Sequence, residues 1–255
     1  MRYLLRLAYN GSEFHGWQIQ PNAISVQESI ENCLSKIFGT KINIVGCGRT
    51  DTGVHASDFY AHFDAEPVQY NNSKLCYKLN SMLPSSIAIK ELYLIHEDFH
   101  ARFSATARKY KYHISRTKNP FQINQTWCYY NELNIAAMQE AGALLLHYTD
   151  FTSFSKLHTD VKTNICDVME FEVINSVDEL VIHIKANRFL RNMVRAIVGT
   201  IIDVGLGKIS VTDFKEIIEA EDRKSAAFSA PASGLFLSEI DYPTTLLKEI
   251  TISDE

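Results

Sequence analysis

Ile42-Asn43-Ile44-Val45-Gly46-Cys47-Gly48-Arg49-Thr50-Asp51-Thr52-Gly53-Val54-His55-Ala56-Ser57-Asp58-Phe59-Tyr60-Ala61-His62-Phe63 reads as two apolar runs on either side of a polar turn. Ile42 to Val45 predicts a short strand, and Phe59, Ala61 and Phe63 alternate as the buried side of a second one. The link between them is too short to hold the crossover helix that parallel neighbours need. The turn itself places one carboxylate, Asp51, between Gly48 and Gly53, with Arg49 two residues before it. Both glycines are expected to take backbone angles closed to other residues and to let a substrate approach. Thr50 and Thr52 are expected to bond to neighbouring main chain and stiffen the turn. Burial would raise the Asp51 pKa and a nearby guanidinium would lower it, so the anion wins where an arginine is close. The same residues also fit a surface turn whose Asp caps its own backbone.

Working outward, residues 2 to 9 alternate as a strand with Tyr3, Leu5, Leu7 and Tyr9 on one side. Ser25-Val26-Gln27-Glu28 is a capping box, with Val26, Ile30, Cys33, Leu34, Ile37 and Phe38 at helical spacing and Gly39 as the stop. Residues 73 to 83 predict a helix ended by Pro84, and Ile87 to Ile95 a strand. Residues 107 to 115 predict a strand with Tyr110, Tyr112 and Ile114 on one face and Lys109, Lys111 and His113 on the other. Such a strand can offer aromatics to a site and cations to phosphate. Further strands are expected at 127 to 130, 165 to 174 and 179 to 186, and a helix capped by Asn134 over Ile135 to His147. A polar loop from Asp150 holds Lys156, His158 and Lys162. Phe189 to Val204 predicts a helix on which Arg188, Arg191 and Arg195 form one stripe, closed by Gly205 and Gly207. Ser210-x-x-Asp213 starts another helix, Ser229 to Tyr242 reads as a loop and last strand, and 244–255 is a tail.

Several strand pairs are joined by short links, which excludes a doubly wound parallel sheet. The pattern is α+β, with a largely antiparallel sheet in two similar halves divided near Ser104: 1–104 with the Asp51 loop, and 105–243 with the tyrosine strand and arginine helix.

The chain has 255 residues, enough for a sizeable core, and 46% of them are apolar. Its five cysteines are scattered, without a Cys-x-x-Cys pair, which points to reduced thiols and away from a disulfide framework or a zinc site. The N-terminus is broken by Arg2 and Arg6 and has no cleavage site of small residues, so it does not read as a signal peptide. No apolar run spans a bilayer. The formal net charge of -5 does not advertise a polyanion partner, but its distribution does. Arg102, Arg108, Lys109, Lys111, Arg116 and Lys118 lie in one stretch without an acid, and Lys185, Arg188, Arg191 and Arg195 in another. A local basic face suffices to bind phosphate, although charge runs are also found on ordinary solvated faces.

Asp51-Thr52-Gly53 also matches the Asp-Thr-Gly of aspartic proteases, but it occurs once, where two carboxylates must share a proton, and Arg49-Thr50 precedes it where that motif is apolar. A fuller match is available. Gly48-Arg49-Thr50-Asp51-x-Gly53-Val54-His55-Ala56, Phe99-His100-Ala101-Arg102-Phe103-Ser104-Ala105, Ala107-Arg108-Lys109-Tyr110-Lys111-Tyr112, Phe189-Leu190-Arg191-Asn192-Met193-Val194-Arg195 and Ala230-Pro231-Ala232-x-Gly234-Leu235 stand in this order. With Tyr9-Asn10-Gly11 and Gly16-Trp17-Gln18, they resemble the bacterial tRNA pseudouridine synthase A family over residues 1 to 243. Thr52, Asn10 and Ser229 depart from the family's more usual Ala, Asp and Thr.

The resemblance implies a cytoplasmic isomerase that converts uridine to pseudouridine at positions 38, 39 and 40 of the tRNA anticodon stem-loop. It implies a homodimer without metal or organic cofactor, built from two RRM-like halves whose sheets join around a central cleft. Asp51 matches the family's catalytic aspartate, Tyr110 the tyrosine that stacks on the target base, and Arg195 the basic residue that pairs with the aspartate. Arg49, beside the nucleophile, would hold the flipped nucleotide's phosphate or fill its vacated place. Cys47 has no basic partner in a motif, and His55 reads as structural. A strand tyrosine is also a common core residue. A non-catalytic RNA-binding protein keeping the fold would need the basic stretches but not Asp51.

Overall fold

The computed structural model describes residues 1–156 and 163–247; His158 and Lys162 of the polar loop and residues 248–255 of the tail lie outside them. By its contacts the chain forms two compact units, Met1–Thr106 together with the segment from Leu237 onward, and Ala107–Phe236. In chain order the elements are β1 (Arg2–Tyr9), α1 (Val26–Phe38), β2 (Val45–Gly46), β3 (His55–Asp64), α2 (Asn72–Met82), β4 (Ile87–Ile95), β5 (Ala107–Ser115), β6 (Trp127–Cys128), α3 (Ile135–Leu144), β7 (Val168–Asn175), β8 (Glu179–Ala186), α4 (Met193–Gly205), α5 (Val211–Glu219), β9 (Leu235–Asp241) and α6 (Thr244–Leu247). Among the described residues no helix is long and apolar enough to cross a membrane.

The first unit runs β1-α1-β2-β3-α2-β4, and its strands lie in the order β4-β1-β3-β2, every one of these pairs antiparallel. That is the split βαβ arrangement shared with RRM-like domains. β9 also lies beside β3. The alternation in β1 has the expected consequence: Tyr3 stands opposite Phe63, Leu5 opposite Ala61 and Leu7 opposite Phe59, all buried. α1 covers this face with Val26, Ile30, Cys33 and Leu34. Ser25 caps it by accepting the Glu28 N–H at 3.2 Å, and Gly39 ends it in the left-handed region. α2 adds Leu75 and Leu79.

The second unit repeats the order, β5-β8-β7 antiparallel, with α3, α4 and α5 as its helices and β6 a short parallel addition beside β5. Tyr112, Ile114, Ile182, Ile184 and Phe171 are buried on one face of these strands. α4 is buried along nearly its whole length, including Val194, Ile197 and Ile201. The α+β, largely antiparallel reading therefore holds.

Several expected boundaries move. The strand predicted at 42 to 45 pairs only at Val45–Gly46; Ile42 and Ile44 are buried by packing, outside any ladder. β6 is confined to Trp127–Cys128. α3 stops at Leu144, and Leu145–His147 form a tighter 3-10 turn. The helix predicted from Phe189 begins at Met193, because Asn192 adopts φ 67°, a left-handed conformation that asparagine tolerates and a helix cannot contain. Arg188 and Arg191 thus precede α4, and only Arg195 of the expected stripe is carried on it.

Candidate active site

The Asp51 turn occupies the link between β2 and β3 and is held from outside by the segment after β1. Tyr9 Oη and Thr50 Oγ1 share a buried hydrogen bond of 2.8 Å. The Trp17 N–H donates to the Thr50 carbonyl at 3.2 Å, and the Gly53 N–H donates to the Phe14 carbonyl at 3.4 Å. Inside the turn, the Val54 N–H donates back to the Asp51 carbonyl at 3.1 Å, and Gly53 takes φ 77°. The two segments approach so closely that side chains are excluded. A Cβ on Gly16 would lie 2.5 Å from the Thr50 carbonyl oxygen, and one on Gly11 2.0 Å from that of Val54. His55 is fully buried, and its Nδ1 accepts the Gly11 N–H at 3.0 Å, in keeping with the structural role expected of it.

Two expectations for this turn are corrected. Gly48 is not in the left-handed region and has open space where a Cβ would go, so only Gly53 has the backbone role assigned to both. The Thr50 hydroxyl serves Tyr9 and not the main chain beside it. The residues whose roles went unread are Tyr9, Gly11 and Gly16. They were visible as a motif, but nothing along the chain says that they touch a turn some 40 residues away. The result is a rigid support on which Asp51 is half-buried and Arg49 and Thr52 face solvent.

The second unit carries the other expected site residues. Tyr110 is half-buried on β5, its ring edge-on to Phe189 with centroids 5.1 Å apart. Arg195, half-buried in the first turn of α4, exchanges two hydrogen bonds with Ala230. Its Nε donates to the Ala230 carbonyl at 2.7 Å, and the Ala230 N–H donates to the Arg195 carbonyl at 2.9 Å. The neighbouring Pro231 carbonyl accepts from the Tyr112 hydroxyl at 2.7 Å, a phenol whose pKa burial pushes far above its ordinary range. The Ala230-Pro231 segment therefore fixes both the guanidinium and the inner face of β5. Asp51 and Arg49 share one turn in the first unit, whereas Tyr110 and Arg195 belong to the second.

The basic stretch of β5 is less basic in space than along the chain. Lys109 pairs with Glu170 of β7 at 2.6 Å, and Lys185 of β8 reaches the same carboxylate at 3.9 Å. His113 contacts Glu179 at 2.6 Å, and His183 stands 3.7 Å from Glu172. Burial, then Lys111 and Lys109, hold the His183 pKa below its ordinary value. On the face expected to offer cations, two basic strands, β5 with Lys109 and Lys111 and β8 with His183 and Lys185, stand beside an acidic one, β7 with Glu170 and Glu172. Among the described residues no group of three His, Cys, Asp or Glu side chains is placed to hold a metal.

The family model for tRNA pseudouridine synthase matches residues 144–243. The chain is 49% identical to tRNA pseudouridine synthase A of Bacteroides fragilis over 249 residues, covering 97% of this chain and 98% of that one. It is 47% identical to the protein of the same name from Bacteroides thetaiotaomicron over 253 residues, 98% and 94% of the two chains. Against that of Bacillus subtilis the identity is 37% over 246 residues, 95% and 99%. With relatives this similar along almost the full length of both partners, the chain belongs to the tRNA pseudouridine synthase A family.

Proposed function

We propose that the chain isomerises uridine to pseudouridine at positions 38, 39 and 40 of the tRNA anticodon stem-loop, with Asp51 as nucleophile. The observation that carries this reading is the half-buried carboxylate on a turn that a second segment locks from outside. The reaction breaks the bond from ribose C1′ to N1, turns the uracil over and forms a bond from C1′ to C5. N1 ends protonated and the C5 proton is lost, so nothing is oxidised and no cofactor is required. A carboxylate on a held turn supplies the nucleophile for carbon that the step needs, and the rigidity of that turn lowers the entropic cost of reaching the transition state. The base must first leave its stack, and an aromatic platform offsets about 1 to 3 kcal/mol of that cost. Tyr110 is assigned this stacking role and Arg195 the balancing of anionic charge in the same reaction. Arg49, exposed two residues before the nucleophile, takes the phosphate of the displaced nucleotide or fills its vacated place. The working form is a cytoplasmic homodimer, which sedimentation of the native protein tests.

The deciding experiment uses tRNA carrying tritium at uracil C5. Native protein is expected to release tritium, and Asp51→Asn to release none while still binding, with affinity that falls steeply as salt rises. Release by the mutant at the native rate would end the nucleophile assignment. Binding by the native protein without release would make it a non-catalytic RNA-binding protein.

A further inference from the structure

Phe103 is 75% exposed, yet it stands on one of the more tightly built loops of the first unit. Phe99 and Ala101 are fully buried and anchor the loop, and the Tyr242 hydroxyl donates to the Ala101 carbonyl at 2.7 Å. The Ala101 N–H donates at 3.1 Å to Nδ1 of His62, itself buried in β3. The His100 ring nitrogen Nδ1 accepts the N–H groups of both Arg102 and Phe103 at 3.2 Å, and the His100 N–H donates to Ser104 Oγ at 3.0 Å. The Ser104 N–H closes the turn on the His100 carbonyl at 2.9 Å.

These hydrogen bonds hold the backbone on either side of Phe103, whose side chain is left exposed to solvent. The His100 ring lies 4.3 Å from it at 33°, and the Arg102 guanidinium 5.5 Å from its centroid. With three quarters of the residue still exposed, at least one ring face is open. The loop thus displays an open aromatic ring beside an arginine. Aromatic rings with adjoining guanidinium groups hold unpaired nucleobases in a sequence-tolerant way.

From this loop we infer that Phe103 is a stacking platform for an unpaired nucleobase of the RNA substrate, with His100 as the support that sets its plane and Arg102 as its cationic neighbour. The inference rests on the proposed RNA substrate and adds a contact apart from Asp51, Tyr110, Arg195 and Arg49. The loss of one stacked base corresponds to roughly a 5- to 150-fold weaker complex.

Binding is tested by titrating unmodified tRNA transcript into native protein and into Phe103→Ala, Phe103→Leu and Phe103→Trp, with tritium release measured in parallel. The exposed ring makes all three variants compatible with the fold. Phe103→Ala and Phe103→Leu are expected to raise Kd and KM by that factor with kcat little changed. Phe103→Trp should bind at least as tightly as native, with its added indole fluorescence quenched on RNA binding. Equal affinity of native and Phe103→Ala, or full rescue by the non-aromatic Leu, would overturn the platform while tritium release by the native protein leaves the proposed reaction standing. An altered sedimentation coefficient with unchanged RNA affinity would also overturn it, by assigning the ring to a protein partner. Native protein that binds no tRNA would remove platform and reaction together.

Discussion

The Asp51 turn and the charged ladder of β5, β8 and β7 are both functional candidates that stand out along the chain, and they behave in opposite ways in space. At the turn, a distant segment arrives and sharpens the signal: Gly11 and Gly16 press against the carbonyls of Val54 and Thr50, and Tyr9 takes the Thr50 hydroxyl. In the ladder, distant residues arrive and blunt it, because Glu170 and Glu172 of β7 come to stand beside Lys109, Lys185 and His183. Backbone geometry confirmed by close packing is thus a firmer guide to a site than the sign of a charge run, since partners of opposite charge can come from any neighbouring strand.

The largest expected effect tests the packed side of this contrast. Gly11→Ala and Gly16→Ala each force a Cβ into a backbone carbonyl, with contacts of 2.0 and 2.5 Å that part the Asp51 turn from the segment that supports it. Displacement of a reacting group by about 1 Å costs on the order of 100-fold in rate, and overpacking adds about 1 to 3 kcal/mol of lost stability. Gly48→Ala, with nothing within 4 Å of the new methyl, is expected to leave tritium release and the urea midpoint close to native. Equal rates for Gly11→Ala and Gly48→Ala would break the contrast.

A second test opposes a buried histidine in the first unit to the solvated ladder of the second. His62 is 4% exposed, and burial, reinforced by Arg2 and His100, pushes its pKa down to about 4 from an ordinary 6.5. Between those values the unfolded chain takes up a proton that the folded chain refuses. The contribution is whole above pH 6.5, is lost as pH falls towards 4, and amounts to about 3 kcal/mol. Urea unfolding at pH 7 and pH 4.5 should show this loss in the native protein and a flatter dependence in His62→Gln. The same slope in both would assign the acid sensitivity elsewhere.

Much of the fold was legible where a local rule and the tertiary environment agree. Ser25 and Gly39 bound α1, Ser210 and Asp213 form a full capping box at α5, and the alternation in β1 and β5 follows the buried faces. It failed where the backbone does something side-chain spacing cannot report. Leu190, Met193, Val194 and Ile197 keep an apolar spacing through Asn192, and all are buried, so the break at φ 67° leaves no trace in the pattern. What holds that break is remote: Asn192 Nδ2 donates to Ser229 Oγ at 2.6 Å, and the Lys156 N–H donates to the Arg191 carbonyl at 3.0 Å. Asp51 could be picked out as a candidate because an acid between glycines is unusual. The loop that supports it could not be, because close approach is a property of two segments and each carries only half of it.

The smallest expected effect probes the ladder itself. Glu170→Gln removes the carboxylate that both Lys109 and Lys185 face while leaving a side chain of the same shape. The two lysine side chains are 19% and 15% exposed and Glu170 46%, so the pairs are partly solvated, and their loss should cost no more than about 1 kcal/mol in urea unfolding. The uncovered charge should instead appear in RNA affinity. Severalfold tighter binding of tRNA transcript at low salt is expected, with a steeper salt dependence that cancels the gain as ionic strength rises. Tighter binding would mean that the ladder lies along the path of the RNA and that Glu170 restrains it there. Unchanged affinity at every salt concentration would place this strand face away from RNA, and the contrast with the Asp51 turn would then be between a site and a solvated surface.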